Sequence, residues 1–284
     1  MVTLKVVSNT MTNTALQHNE LVETLPDEEE FALFQSLVYK KLGIHLPKQK
    51  RIMLGHRLFK RLIRLELTRF SQYYRYITNP EHHHELQHAL ELITTNETFF
   101  FREEKHFHFL KDSLLPQLNK NMEFKVWSAA CSTGEEPYSL AMVLAEHCKS
   151  SWSIHASDVN NTVLSHARKA IYIDERTKLL PLNYRKKYCS KGTKEFSGYM
   201  RVKPTLRSRV NFFNFNLIEP MNALGPFDLI CIRNVMIYFD DATRQKIIDN
   251  ISKRLRVGGW IFISHSETLH GLNHAFELVM PAIY

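Results

Sequence analysis

The chain has 284 residues, of which 44% are hydrophobic and 23% are charged, a composition typical of a soluble globular protein with one or two domains. It contains no run of about 18 apolar residues, which excludes a predicted membrane span, and its start lacks the features of a signal peptide. The net charge of +8 favours an acidic partner: nucleic acid, an anionic membrane or an acidic protein surface.

Cysteines and histidines form no pattern typical of a metal site or a disulfide framework. The four cysteines are widely spaced without a CxxC pair, so a reducing cytoplasm is the expected location. The histidine runs at 82–84 and 106–108 match neither HExxH nor a Cys/His finger. We therefore expect no metal, and we interpret these histidines as parts of solvated helix faces.

The first 95 residues predict a tail followed by an all-helical domain. Residues 1–28 are polar and hold no helical period, so we expect a flexible tail. Proline, glycine and charge signals then predict helices within a domain at 29–95. The predicted spans are 26–43, 47–70, 69–78 and 82–95.

The segment 47–70 carries eight basic residues and one acid, Glu66. Leucines at helical spacing form an apolar stripe, and arginines at the same spacing line another face. A solvated helix face is the alternative interpretation, but an 8:1 imbalance exceeds what solubility requires and favours docking to an acidic surface. The predicted docking residues are Arg57, Lys60, Arg61 and Arg64.

Strands and helices alternate over 96–284, which predicts a doubly wound, mostly parallel sheet. A basic stretch at 187–209 interrupts the alternation and predicts a small inserted antiparallel β-subdomain. The predicted strands are 124–129, 151–158, 210–217, 227–239 and 260–267, with 276–284 at the sheet edge. The predicted helices are 135–148, 160–172 and 240–259, the last with Gly258 as its stop.

A loop of small residues follows the first of these strands and leads into a helix that begins with Glu135 and Glu136. Acids are favourable at any helix start, but they would repel the pyrophosphate of a dinucleotide at this position. A cofactor with a cationic group is favoured instead, which argues for S-adenosylmethionine (SAM). Without phosphates to approach closely, such a loop needs few glycines, and this one contains only Gly134.

Further polar residues follow later strands, where ligands of such sheets bind. Asp158 closes the second strand, where its carboxylate could accept the hydroxyl protons of a ribose; an N-cap for the helix at Asn160 is the alternative. Arg233 and Asn234 fall at a later strand tip, followed by Tyr238. The N/D-P-P-Y/F sequence typical of amino-nitrogen methylation is not found there.

Several long segments, in order over residues 30–284, resemble the CheR family of bacterial chemotaxis receptor methyltransferases. They are TTNETFFFRE, VWSAACSTGEEPYS, ASDVNNTVLSHARKAIY, FNFNL, FDLICIRNVMIYF and GGWIFISHSE. The resemblance implies a Rossmann-like α/β SAM-dependent methyltransferase domain, an N-terminal all-α domain and an inserted β-subdomain that can bind a receptor's C-terminal tether peptide. It also implies methyl transfer to glutamate side chains of methyl-accepting chemotaxis receptors, yielding glutamyl methyl esters.

The resemblance also assigns site residues position by position. The implied cofactor-binding residues are Asn96, Thr98, Arg102, Ala129 (through its main chain), Glu135, Asp158, Asn216, Leu217, Arg233 and Asn234. Arg102 and Tyr238 would lie nearest the transferred methyl, where Arg102 could pair with the incoming carboxylate and Tyr238 could orient it. A glutamate, with a reference pKa of about 4.3, is already ionised at pH 7, so alignment and electrostatics carry the rate without a general base.

Two rival functions follow from the residues alone. The sequence pI of about 9.2 suggests a nucleic-acid methyltransferase, and a catalytically inactive SAM-binding sensor would keep the fold without the transfer. Given the resemblance, we expect no nucleic acid and no membrane insertion. Nothing in the sequence requires more than a monomer.

Overall fold

The computed structural model describes residues 24–220 and 225–284, so the predicted tail lies outside the described residues up to residue 23. Two compact units are present. The first comprises the described residues up to Lys41 together with His45–Thr95, and the second comprises Leu42–Ile44 and Asn96–Tyr284. Within the described ranges, no helix has the length and apolar content needed to cross a membrane.

The first unit is helical. Its helices are α1 (Glu28–Leu42), α2 (Arg51–Arg64), α3 (Phe70–Thr78) and α4 (His83–Ile93). A reciprocal cap begins α1 where the sequence predicts it, because Asp27 Oδ1 accepts the Glu30 N–H at 2.7 Å and Glu30 Oε2 accepts the Asp27 N–H at 3.1 Å. The predicted leucine stripe of α2 is confirmed by the complete burial of Leu54, Leu58 and Leu62.

Part of the basic face of α2 makes contacts inside this unit. Arg57 donates hydrogen bonds to two backbone carbonyl oxygens at the end of α4. Arg61 pairs with both carboxylate oxygens of Glu85, at 2.8 and 2.6 Å, and the Tyr73 hydroxyl donates to the same carboxylate. Burial raises the pKa of Glu85, but the hydrogen bonds from Arg61 and Tyr73 outweigh burial and lower that pKa below its usual value.

Lys60 and Arg64, the other two predicted docking residues, are exposed. Their charges are therefore accessible to a partner, whereas Arg61 is engaged with Glu85. The docking role of all four residues stays a prediction, and Lys60 and Arg64 are the pair on which it can be tested without breaking an internal contact.

The second unit is built on a parallel sheet. Its elements are α5 (Glu104–Phe109), β1 (Phe124–Ser128), α6 (Glu135–His147), β2 (Trp152–Asp158), α7 (Asn161–Lys169), β3 (Ile171–Ile173), α8 (Leu182–Tyr188), β4 (Cys189–Lys191), β5 (Tyr199–Val202), α9 (Pro204–Arg207), β6 (Val210–Asn214), β7 (Phe227–Cys231), α10 (Asp241–Ser252) and β8 (Leu255–Phe262). The strand order is β6-β2-β1-β7-β8, and all neighbours are parallel. Strands β1 and β7 are almost continuously buried, as expected for strands covered on both faces. The predicted fold class is confirmed.

The end of the chain covers the β8 edge of this sheet. Ile261 and Tyr284 exchange backbone hydrogen bonds at 2.9 and 3.0 Å, and the Ile263 N–H donates to the Ala282 carbonyl oxygen. This pairing is antiparallel. The predicted position of the C-terminal segment at the sheet edge is therefore confirmed.

A second sheet, antiparallel and of order β3-β5-β4, lies apart from the parallel one. Its first strand precedes the predicted inserted span of 187–209. The helix predicted at 160–172 was wrong in its last residues, because α7 ends at Lys169 and Ala170 takes a left-handed conformation with φ of 54°. The β-branched Ile171 and Ile173 then pair with β5, which is the conformation such residues favour.

Two more boundaries differ from the prediction. The strand predicted at 227–239 ends at Cys231, and Asn234, with φ of 59°, breaks the extended path before a 3₁₀ turn at Met236–Tyr238. Gly258 does not stop α10, which ends at Ser252. Its φ of 77° instead lies inside β8, where the register against β7 is irregular. A glycine with this φ relieves strain in a strand irregularity as well as at a helix end.

Candidate active site

The strand order brings the predicted cofactor residues to one edge of the parallel sheet. Because the chain runs from β1 to β2 and later to β7 on the other side of β1, the order reverses beside β1, which is where such sheets bind ligands. Six of the predicted cofactor residues end or follow β1, β2, β6 and β7 at this edge: Ala129, Asp158, Asn216, Leu217, Arg233 and Asn234. Ala129 and Leu217 are buried, and Asn216 is half-buried.

Asp158 holds the loop that follows β1. Its Oδ2 accepts the backbone N–H of Ser132 at 2.9 Å, and its Oδ1 accepts that of Asn160 at 3.0 Å. The N-cap of α7 is Asn160, whose side chain accepts the Val163 N–H, so the alternative role considered for Asp158 belongs to its neighbour. Ribose binding by Asp158 stays a prediction.

Gly134 is required in this loop by its neighbours. Its φ is 95°, and a Cβ placed there would lie 2.9 Å from Ala167 Cβ and 3.0 Å from the Tyr172 hydroxyl. That hydroxyl donates to the carbonyl oxygen of Thr133 at 2.8 Å. The single glycine of the loop thus lets α7 and β3 pack directly against it.

Glu135 is a completely buried carboxylate at the start of α6. The Thr133 hydroxyl donates to its Oε2 at 2.6 Å, and Arg176 Nη2 lies 2.9 Å from its Oε1. The Arg176 N–H groups are not aligned with that oxygen, so within the described ranges Oε1 has no hydrogen-bond donor. Burial raises the pKa of Glu135, against the Thr133 hydrogen bond and the Arg176 charge. Oε1 therefore has an acceptor position for a further cationic group, besides its ion pair with Arg176.

Arg233 is a buried cation with two acidic partners. Its Nη1 lies 2.8 Å from Glu136 Oε2 and its Nη2 lies 3.4 Å from Glu103 Oε2, while Nη2 also donates to the Arg102 carbonyl oxygen. Burial raises the pKa of Glu103, but a hydrogen bond from Ser264 and the Arg233 charge lower it to about 2. The structure thus places Arg233 in a network of ion pairs, and a direct cofactor contact by Arg233 stays a prediction.

Glu267 fixes the backbone of the segment 234–238, which carries Asn234 and Tyr238. The sequence analysis did not predict this role. Its carboxylate accepts the backbone N–H groups of Asn234 at 3.0 Å, Met236 at 2.8 Å and Ser264 at 2.7 Å. Burial nevertheless raises the pKa of Glu267. Only tertiary packing brings Glu267 to these backbone groups, so no local signal in the sequence identified it.

The residues expected near the transferred methyl occupy two different segments. Tyr238 ends the 3₁₀ turn Met236–Tyr238 and is half-buried, and no hydrogen bond of its hydroxyl is found with the described part of the chain. Arg102 is half-buried, donates to the Glu97 carbonyl oxygen at 3.0 Å and lies over the Phe99 ring. Both side chains are therefore accessible to a ligand.

Asn96 and Thr98 make backbone contacts beside the site, Asn96 with the loop at 129–134 and Thr98 with Arg176. The Asn96 carbonyl oxygen accepts from the Ser132 hydroxyl at 2.9 Å, and the Thr98 carbonyl oxygen accepts from Arg176 at 3.1 Å. Phe100 of the same segment is fully buried. Contacts of the Asn96 and Thr98 side chains with a cofactor stay predictions.

Glu103, His106 and His265 bring three potential metal-ligating atoms within 4.8 Å of one another. Arg233 already lies 3.4 Å from Glu103 Oε2 and would repel a cation bound there. His265 Nδ1 lies 3.0 Å from the same oxygen. We interpret the group as a hydrogen-bonded cluster, and the expectation of no metal stays a prediction.

His106 is buried, so its interpretation as part of a solvated helix face was wrong. It should make the folded protein sensitive to mild acid. Burial, together with the Arg233 charge and against the Glu103 charge, lowers its pKa from 6.5 to about 3. Between pH 6.5 and pH 5 the unfolded chain therefore binds a proton that the folded chain does not, and stability falls with the pH, by about 2 kcal/mol at pH 5. His106→Phe should flatten this slope in denaturant titrations, whereas His108→Phe, at an exposed position of the same helix, should leave it unchanged. Equal slopes for the two variants would contradict the assignment.

Comparisons with known proteins agree with this geometry. A family model described as "CheR methyltransferase, SAM binding domain" matches residues 96–284, and one described as "CheR methyltransferase, all-alpha domain" matches residues 29–94. A parallel sheet with acidic loop ends, together with these matches, defines a SAM-dependent methyltransferase. The chain belongs to the CheR methyltransferase family, as the sequence resemblance implied.

Curated relatives match almost the whole chain. A chemotaxis protein methyltransferase of Escherichia coli is 39% identical over 261 residues, covering 90% of this chain and 90% of the relative. One of Borreliella burgdorferi is 35% identical over 269 residues, covering 90% of this chain and 94% of the relative. Among solved structures, the glycopeptide N-methyltransferase MtfA complexed with SAM matches with a TM-score of 0.36 at 15% identity, over 60% of this chain and 51% of that chain.

The cofactor of the chain is SAM, and the residues at the sheet edge are compatible with it. The buried Glu135 carboxylate, whose Oε1 has no donor among the described residues, suits a cationic ligand group. The loop before it has one glycine, and packing accounts for that glycine. A cofactor without phosphates agrees with both observations.

Proposed function

We propose that this chain is a cytoplasmic, monomeric enzyme that transfers a methyl group from SAM to glutamate side chains of methyl-accepting chemotaxis receptors, forming glutamyl methyl esters. The observation that carries the proposal is the match to relatives named chemotaxis protein methyltransferases over about 90% of both chains. The chemistry of the site supports the proposal, because a carboxylate acceptor needs alignment and desolvation rather than a general base.

When bound, SAM supplies a methyl group on a positively charged sulfur. Glu135 would hold the cofactor's ammonium and Asp158 its ribose. Arg102 would pair with the incoming carboxylate, and Tyr238 would donate a hydrogen bond that orients it. The chain's residues thus align and desolvate a nucleophile that is already ionised.

The acids paired with Arg233 and the carboxylate of Glu267 are poorly suited to act as general bases. Glu103 and Glu136 are paired with Arg233, and Glu267 accepts three backbone N–H groups. An acceptor that must lose a proton would need a base that these engaged carboxylates do not provide. A glutamate acceptor needs none, which favours ester formation over methylation of a neutral nitrogen.

Transfer of labelled methyl groups from SAM to receptor-containing membranes tests the proposal. Label that appears on the receptor band and is released by mild base is the expected result, because methyl esters are base-labile. Base-stable label on protein, label on added duplex DNA, or cofactor binding without any transfer would contradict it and support the corresponding rival function. Membranes without receptors serve as the control.

Tyr238→Phe and Arg102→Ala should each lower the turnover number. Loss of one hydrogen bond to the reacting carboxylate predicts a decrease of about tenfold for Tyr238→Phe, and loss of a charged partner predicts a larger decrease for Arg102→Ala. Since Tyr238 orients the acceptor, Tyr238→Phe should keep SAM affinity, measured by calorimetry. Full turnover in either variant would remove that residue from the proposed mechanism.

We propose that the exposed Lys60 and Arg64 of α2, together with Arg57 and Arg61, bind the acidic helical methylation region of the receptor. Lys60→Glu combined with Arg64→Glu should raise the KM for receptor, because charge reversal replaces attraction with repulsion. SAM affinity and thermal stability should stay unchanged, since both side chains are exposed. An unchanged KM at low salt would argue against this surface. Binding of a receptor tether peptide by the small sheet is part of the same proposal.

A further inference from the structure

Arg176 was not predicted as a site residue, and the structure places it against the cofactor loop. It stands in the 3₁₀ turn Asp174–Thr177, which directly follows β3 of the small sheet. Arg185 Nη2 lies 2.6 Å from Asp174 Oδ1, and the Asp174 N–H donates to the Gly198 carbonyl oxygen at 2.9 Å. The position of Arg176 is therefore set by the small sheet rather than by the parallel one.

One nitrogen of Arg176 makes all of its contacts with the cofactor segments. Nη2 lies 2.9 Å from Glu135 Oε1 and donates to the Thr98 carbonyl oxygen at 3.1 Å and the Thr133 hydroxyl at 3.3 Å. Nε and Nη1 make no hydrogen bond within the described part of the chain, and the side chain is 37% exposed. A guanidinium has five N–H donors, so three of them remain for a ligand.

The ligand chemistry that suits this arrangement carries both charges close together. The amino-acid end of SAM bears an ammonium and a carboxylate on the same carbon atom. If the ammonium pairs with the buried Glu135, the carboxylate must lie within a few bond lengths of it. Arg176 is the cation adjacent to Glu135, and a guanidinium matches a carboxylate through two parallel hydrogen bonds.

We propose that Arg176 is a cofactor-binding residue that holds the carboxylate of SAM while Glu135 holds its ammonium. This inference rests on the Glu135 contact of the proposed function. Without its carboxylate, the cofactor's ammonium would compete with Arg176 for Glu135. When the cofactor carries its carboxylate, positive and negative groups alternate: the cofactor's ammonium pairs with Glu135, and Arg176 pairs with the cofactor's carboxylate. The small sheet thereby contributes a side chain to the cofactor site.

The test compares SAM with its decarboxylated analogue, which keeps the sulfonium and the amine. Calorimetric titration of the full chain without methyl acceptor should show that the unmodified protein prefers SAM. Arg176→Gln should weaken SAM binding about 10- to 100-fold, the effect of one charge-assisted pair. The same variant should bind the analogue as well as before or better, since a competitor for Glu135 is gone. Arg176→Lys should keep part of the preference.

Lys178→Gln is the matched control, because it removes an exposed positive charge two residues away and should change neither affinity. Equal affinity of the unmodified protein for both ligands would overturn the proposal. So would an Arg176→Gln variant that loses affinity for both ligands by the same factor, which would indicate that Arg176 only neutralises Glu135. Arg176→Lys, with its charge retained, carries the test if Arg176→Gln does not fold. The titration contains no methyl acceptor. Its outcome is therefore independent of whether the protein methylates glutamate.

Discussion

Glu135→Gln should weaken SAM binding by about 10- to 100-fold, the cost of removing one charge-assisted hydrogen bond. Glutamine has the same shape and can still accept the Thr133 hydroxyl, so the loop should keep its conformation. The lost quantity is the negative charge, which is fully buried and has an oxygen without a donor in the described ranges. Titration calorimetry with SAM and with S-adenosylhomocysteine measures the effect.

Glu97→Gln provides the control for that experiment. Glu97 is exposed, and its charge acts on Glu135, so its removal changes the local potential without removing the proposed contact. We expect its affinity to stay within about twofold of the unmodified protein, since exposed charges are screened. If both variants bind SAM equally well, Glu135 does not hold the ammonium, and its burial has a purely structural cause.

Arg233→Met should be the most destabilising of the proposed substitutions, by about 3–5 kcal/mol of unfolding free energy. The Arg233 side chain is 3% exposed and lies between the carboxylates of Glu103 and Glu136, which are 17% and 12% exposed. Methionine keeps the bulk of the arginine stem but leaves two acids without their shared cation. Chemical denaturation followed by circular dichroism gives the difference.

Arg244→Met is the matched comparison, because Arg244 pairs with Asp241, which is 82% exposed, and exposed pairs contribute about 0–1 kcal/mol. Adding Glu136→Gln to Arg233→Met should restore part of the stability, because one uncompensated charge is removed. A loss in Arg233→Met no larger than in Arg244→Met would show that the network around Arg233 is solvated.

The sequence predicted the parallel sheet well because its strands are apolar runs whose burial dictates their place. It failed where the backbone turns through left-handed conformations. Ala170 ends α7 and Gly258 sits inside β8, and neither position has a local signal that separates a helix end from a strand irregularity. Both outcomes depend on pairing with β5 or β7, which is a tertiary contact.

The site was predicted in outline for a similar reason. Residues that directly follow strands are brought together by the parallel arrangement alone, so their positions could be predicted without knowing any contact. Arg176 and Glu267 could not, because each acts across a long sequence separation. Arg176 reaches Thr98 over 78 positions, and Glu267 binds the backbone of Asn234 over 33. Only packing determines which partners such side chains meet.

The tight contact at Gly134 joins the loop at 129–134 directly to β3 of the small sheet. Tyr172 of β3 presses on the loop where a side chain would otherwise stand, and its hydroxyl is bonded to the loop backbone. A displacement of β3 would therefore disturb the loop. If the small sheet binds the proposed receptor tether peptide and that binding moves β3, the peptide and SAM should each change the other's affinity by the same factor.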